Sequence, residues 1–179
     1  MYLRRSVPWI VFLAWGLFVT SHVLAQAKYV RITGNRVNIR AGPSTSFPVV
    51  AKARKGDVFE LLGKEGRWYR VRMFSMRHRY VHRSLAEVVA YSVSIPKVVS
   101  LRRKIFGALL RAEERAGREA DRRYPVEERS GRPLAGNTKR NSDYFSLLSD
   151  RYKLMVMHRF KVQPPLYDVL MGEGVRRNW

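Results

Sequence analysis

Three histidines lie beyond residue 27, at His78, His82 and His158, and they are the first place to look for catalysis or metal binding. His78 and His82 are four apart, a spacing that brings side chains together on a helix but not on a strand. A zinc hydrolase needs several His or carboxylate ligands, more than this chain offers. Cysteine is absent, which excludes thiol nucleophiles, thiolate metal sites and disulfides. Glycoside hydrolysis needs two carboxylates facing each other across a cleft. Glu113, Glu114, Glu119, Asp121, Glu127 and Glu128 are numerous enough, but they stand among arginines. They read as ion-pair partners on a solvated helix face, and nothing singles out two of them. There is no nucleophile motif and no phosphate-binding glycine loop. No catalytic residue, metal or cofactor is therefore expected, and the chain reads as a binding protein rather than an enzyme.

The chemistry that remains is recognition of anions. The formal net charge is +21. Residues 28–92 carry 14 basic against 4 acidic side chains, and residues 93–179 carry 19 against 10, so both halves are basic. Such a surplus either serves solubility or implies polyanionic partners: nucleic acid inside a cell, anionic glycans, teichoic acids, lipopolysaccharide or acidic membrane outside it. Along Trp68 to Met73 the side chains alternate. Tyr69, Val71 and Met73 point one way, and Trp68, Arg70 and Arg72 the other. An aromatic ring beside cationic donors suits sugar rings and carboxylates, which Arg grips with two bonds. Alternatively, Trp68 only caps a core.

The elements that would position these residues fall into two textures. Arg4 and Arg5, the apolar run Val7–Val19 and the small-residue pattern Ala25-Gln26-Ala27 read as a signal peptide over 1–27. The alternative is a membrane anchor, but the run is shorter than the ~20 apolar residues of a spanning helix. With the signal cleaved, no transmembrane span is expected and the protein would be periplasmic or secreted. That reading makes nucleic acid an unexpected partner. Residues 28–92 alternate apolar and polar residues between turn signals every 8 to 12 positions, as in a small all-β barrel. From residue 93 the period changes. Val98, Leu101, Ile105, Leu109, Ala112, Ala116 and Ala120 are spaced three and four apart, which predicts an amphipathic helix within 93–124. Its stripe must pack on the barrel, pair with a second helix, or meet a protein partner or second copy. Residues 125–142 read as a linker, and 143–179 as a helical or mixed segment. Ser142 could cap a helix presenting Phe145, Leu148, Tyr152 and Met155, although Lys153–Val162 also alternates like a strand. Gln163-Pro164-Pro165 would end it, before one more apolar turn.

The barrel segment also resembles a known family. Val37-Asn38-Ile39-Arg40-Ala41-Gly42-Pro43-Ser44 is similar to the V-N-V-R-x-G-P-S signature of bacterial SH3 (SH3b) domains. Phe47 takes the usual Tyr position, Lys55-Gly56 the diverging turn, Trp68-Tyr69-Arg70-Val71 the W-Y-K-V string and Tyr80-Val81-His82 the last-strand motif. The resemblance implies an SH3-like barrel over 28–92 followed by a mainly α-helical extension. It also implies a targeting or binding role of the kind that often accompanies peptidoglycan hydrolases. The expected ligand is peptidoglycan or another anionic envelope polymer, met by Trp68, Arg70, Arg72, Arg79 and Tyr80. One departure stands out: Arg79 replaces the glycine that normally precedes the last-strand aromatic. Arg77, Arg79 and Arg83 load this end with charge, either as a re-tuned ligand surface or as a docking face for the helices. The alternative function is a protein-interaction or scaffold protein acting through those helices, and a further alternative is a cell-wall hydrolase.

Overall fold

The computed structural model describes residues 28–128 and 131–179, so the signal peptide read at 1–27 lies outside the described residues. Seven strands come first: β1 (Tyr29–Ile32), β2 (Val37–Arg40), β3 (Val49–Ala53), β4 (Val58–Glu65), β5 (Trp68–Arg72), β6 (His78–His82) and β7 (Ala86–Val89). They form one antiparallel sheet in the order β3-β2-β6-β5-β4-β1-β7. β4 is longest because it serves two partners. Its start pairs with β1 and its end with β5, and a register shift between Leu61 and Gly63 bends it around the core. Ile32, Val37, Ile39, Val50, Val58, Tyr69, Val71 and Met73 are buried as the alternation predicts; Leu61 is only partly so. Burial of each is worth roughly 1.5–3 kcal/mol. Val30, Phe59, Phe74 and Val81 join them.

Three helices follow: α1 (Val99–Arg123), α2 (Asn137–Phe160) and α3 (Leu166–Arg176). They stack on the barrel in layers. α2 lies on β3, and α1 lies on α2. The apolar stripe of α1, from Ile105 through Leu109, Ala112 and Ala116 to Ala120, is buried. Its alanines let α2 approach closely, so that stretch of the stripe is occupied within the chain and is not open to an outside partner. α2 begins at Asn137, inside the stretch expected to be linker, because Gly136 turns the chain with φ 84°. Asn141 then donates to the Asp121 carboxylate and the Tyr124 carbonyl, fastening the start of α2 to the end of α1. Lys153–Phe160 is helical, which settles the helix-or-strand alternative there. The expected last apolar turn is a helix of 11 residues.

Two polar joints fix the helices to the barrel. Asp150 on α2 has no exposed surface. Its carboxylate accepts from the Phe74 and Ser75 backbone N–H groups (2.9 and 2.8 Å), from Ser75 Oγ (2.8 Å) and from Arg79 Nε (2.6 Å). The β5–β6 hairpin is thus tied at its turn to the middle of α2. At the end of α2, His158 Nε2 meets Asp57 Oδ2 at 2.8 Å. Gln163 accepts from Val58 N–H and donates to the Gly56 carbonyl, clasping the β3–β4 turn. Among the described residues no helix is long and apolar enough to cross a membrane.

Candidate functional site

The register of β5 and β6 builds the outer face of the barrel. Trp68 faces His82, Arg70 faces Tyr80 and Arg72 faces His78, while Tyr69 and Val71 point into the core. Trp68 and His82 meet edge to face, with ring centroids 5.2 Å apart. Both line a cleft of about 450 Å³ with Arg36, Asn38, Arg40 and Thr45. Asn38 and Arg40 reach it because they share the outward face of β2. Arg40 also donates to the Phe47 carbonyl at 2.8 Å. Neither Arg36 nor Arg40 is in an ion pair among the described residues.

The other cations proposed from the sequence are placed differently. Arg70 donates to Glu65 Oε1 at 3.2 Å. The Tyr80 hydroxyl donates to the same oxygen at 3.2 Å. Burial, then the Glu65 hydrogen bond, raises the Tyr80 phenol above its ordinary 10.0, so it is a donor at neutral pH. Arg72 Nε lies 2.8 Å from Glu60 Oε2, although its N–H is not aligned for a hydrogen bond. Arg79 points to the opposite side of β6 from Tyr80, into the buried joint with Asp150. Trp68, Arg70, Arg72 and Tyr80 therefore share one face, and Arg79 does not.

A second cleft, of about 750 Å³, lies on the far side of the Ala41–Pro48 loop, between barrel and helices. Its barrel wall includes Phe47, Arg77 and Tyr80; its helical wall includes Tyr124, Arg140 and Tyr144. Asp143 is its one acidic residue among the described residues. The Lys139 hydrogen bond holds that carboxyl below the ordinary 3.8, with Arg77 and Arg79 adding to the effect. The loop dividing the clefts depends on Gly42, where a Cβ would collide with the Phe47 ring. Sequence reasoning missed Arg36 and Arg40 as site residues, although the β2 alternation could have found Arg40. Tyr124, Tyr144 and Arg140 left no such signal, since only the docking of α2 brings them to the barrel.

The three described histidines are held apart in separate settings. His82 Nδ1 contacts Ser84 Oγ at 2.7 Å, His158 joins Asp57, and His78 is exposed. Among the described residues no cluster of three or more His, Asp or Glu is arranged to hold a metal ion.

Comparison with known proteins bears on the barrel segment. Residues 35–87 match the family model of the bacterial SH3 domain. The probable cell wall amidase LytH of Staphylococcus aureus is 34% identical over 74 residues, covering 38% of this chain and 25% of that protein. The versions from strains USA300 and COL give the same values. The chain spans about a quarter of the length of these curated relatives, and the aligned part lies in the SH3 region.

Proposed function

Starting from a bacterial SH3 domain at residues 35–87, we propose that this chain is an exported binding protein of the cell envelope. Its ligand is peptidoglycan or another anionic envelope polymer. The observation that carries this reading is the Trp68 cleft, where an indole lies beside the guanidinium groups of Arg36 and Arg40, which are in no ion pair among the described residues. A sugar ring can stack on the indole while Arg36 and Arg40 grip a carboxylate or phosphate of the polymer. The excess of positive charge on both halves favours encounter with such a polymer and makes it salt-sensitive. Export rests on the N-terminal pattern of residues 1–27. Bacterial SH3 domains are typically cell-wall binding modules, and a curated relative of this segment is named as a probable cell wall amidase. We read this chain as supplying binding and not catalysis.

The test is sedimentation of residues 28–179 with purified cell-wall sacculi. Binding is expected at low salt and should decline as ionic strength rises. Trp68→Ala and Arg36→Ala should each weaken it about tenfold, the effect of losing a stacking or charged contact worth roughly 1.4 kcal/mol. Arg70→Ala with Arg72→Ala should weaken it less, because Glu65 and Glu60 already hold those side chains. Absence of sedimentation at low salt sinks the reading, and release of muropeptides from the sacculi would show catalysis instead.

A further inference from the structure

The groove along the outer side of the helical layer has a different character from the barrel clefts. Two depressions, of about 520 and 410 Å³, share Ala108, Arg111 and Arg159 and form one trough between α1 and α2. Its α1 bank runs from Arg103 to Arg115, about 18 Å at 1.5 Å per residue. The floor is small and apolar, with Gly107 and Ala108 on α1 facing Val156 and Phe160 on α2. Leu110 and Met155 stand exposed at its edges, Met155 at 59%. Trp179 closes one end, stacked edge to face on Phe106.

Charge decides what such a trough accepts. Arg103, Lys104, Arg111, Arg115 and Arg159 line it, and among the described residues no aspartate or glutamate does. None of the five is in an ion pair among the described residues. Four other helical cations are matched: Arg102 with Glu173, Lys153 with Glu113, Arg118 with Glu114 and Lys139 with Asp143. Arg122, Arg123, Arg140, Arg151 and Arg176 lie outside the trough lining and are in no ion pair among the described residues. What sets the trough apart is that five unpaired cations border exposed apolar surface there, at Leu110 and Met155. A second copy of this strongly basic chain would bring like charge to like. Residues 1–27 are apolar but carry two arginines and no acid, so they are repelled as well. A membrane is a broad surface, which meets protruding side chains and not the floor of a trough between two helices.

The geometry points to a protein partner that lays an acidic amphipathic helix into the α1–α2 groove, completing a three-helix layer. Small residues on the floor let a third backbone come close, and the partner's apolar anchors at i, i+3, i+4 and i+7 cover Leu110 and Met155. Its flanking carboxylates pair with Arg111 and Arg115 on one bank and Arg159 on the other. The trough shares no lining residue with the Trp68 cleft or with the cleft between Phe47 and Tyr144, so a polymer ligand and this partner can bind together.

The test uses residues 28–179 and two synthetic amphipathic helices of about 14 residues, with leucine at the four anchor positions. One carries glutamate elsewhere and the other lysine; phosphatidylglycerol vesicles are the third probe. Binding is read from Trp179 emission in a Trp68→Phe background. The glutamate helix should bind at least about tenfold more tightly than the lysine helix. Arg111→Glu combined with Arg159→Glu should abolish that preference without changing the melting temperature, since both side chains are exposed. Equal binding of the two helices, binding of neither, or binding of vesicles alone would each overturn the proposal.

Discussion

Asp150 shows how a single residue turns an appended helix into part of the barrel. It has no exposed surface, yet all its partners come from the β5–β6 hairpin: two backbone N–H groups, one hydroxyl and the Arg79 guanidinium. A buried ion pair gains little over a well-packed apolar pair, but removing one partner strands a charge and costs about 3–5 kcal/mol. Arg79→Ala should therefore lower stability by that amount in urea unfolding. A purely ionic joint would recover when both charges are deleted. This one should not, because Asp150→Ala also leaves the Phe74 and Ser75 N–H groups without an acceptor, about 1–3 kcal/mol each. The double variant Arg79→Ala/Asp150→Ala should thus stay about 2–6 kcal/mol below wild type instead of recovering. Recovery toward wild-type stability in the double variant would refute this account of the joint. The arginine that departs from the family pattern is explained here by what covers it.

At the scale of elements, α3 is held by charge and by fit. Arg102 on α1 makes two hydrogen bonds to the Glu173 carboxylate, at 2.7 and 2.9 Å. Gly174 packs so closely on the Phe106 ring that no Cβ fits between them. The Arg102 hydrogen bond, with Arg177 and Arg176 nearby, holds Glu173 below the ordinary 4.5. A depressed carboxyl stabilises the fold above its unfolded value and loses that contribution as pH falls through the folded one. Trp179 emission in a Trp68→Phe background should therefore show α3 loosening below about pH 4.5. Glu173→Gln should lack that step; an identical step in the variant would assign it to another group. These helices also show where sequence was readable. The stripe of α1 stood out because one side of it is buried, against α2. α2 is claimed by the barrel on one side and α1 on the other, and it buries Ser149, Asp150 and Lys153 among its apolar residues. Lys153 is satisfied by Glu113 at 3.0 Å and the Tyr167 hydroxyl at 2.9 Å, partners from both neighbouring helices. No single apolar stripe survives such use, so Met155 reads as core and is exposed, while Met157 is buried. The barrel was legible because its motif residues are local, and Trp68, Arg70 and Arg72 fall on one face by alternation alone. The second cleft needed contacts between residues far apart in the chain.

For the whole molecule, the consequence is that barrel and helices share one core. Buried residues run without a break from Val50, Ala51 and Phe74 in the barrel region to Leu154, Met157, Leu166 and Leu170 in the helices. A small barrel by itself buries too little apolar surface to be more than marginally stable. Here it would also lose the cover over β3 and the acceptor for its hairpin turn. Residues 28–92 expressed by themselves should melt well below the full chain. The decisive comparison is Arg79→Ala in both settings. In the full chain its loss strands Asp150 and should cost about 3–5 kcal/mol. In the isolated barrel Arg79 has no buried carboxylate to meet and can reach water, so the same change should fall within about 0.5 kcal/mol, as for ordinary surface positions. Denaturant unfolding of the four proteins gives both differences directly. Equal costs in the two settings, or an isolated barrel as stable as the full chain, would mean that the helices are attached to the SH3 domain without being part of its fold. The expected inequality makes them a structural half of the molecule, which places the cleft between Phe47 and Tyr144 under the control of both halves.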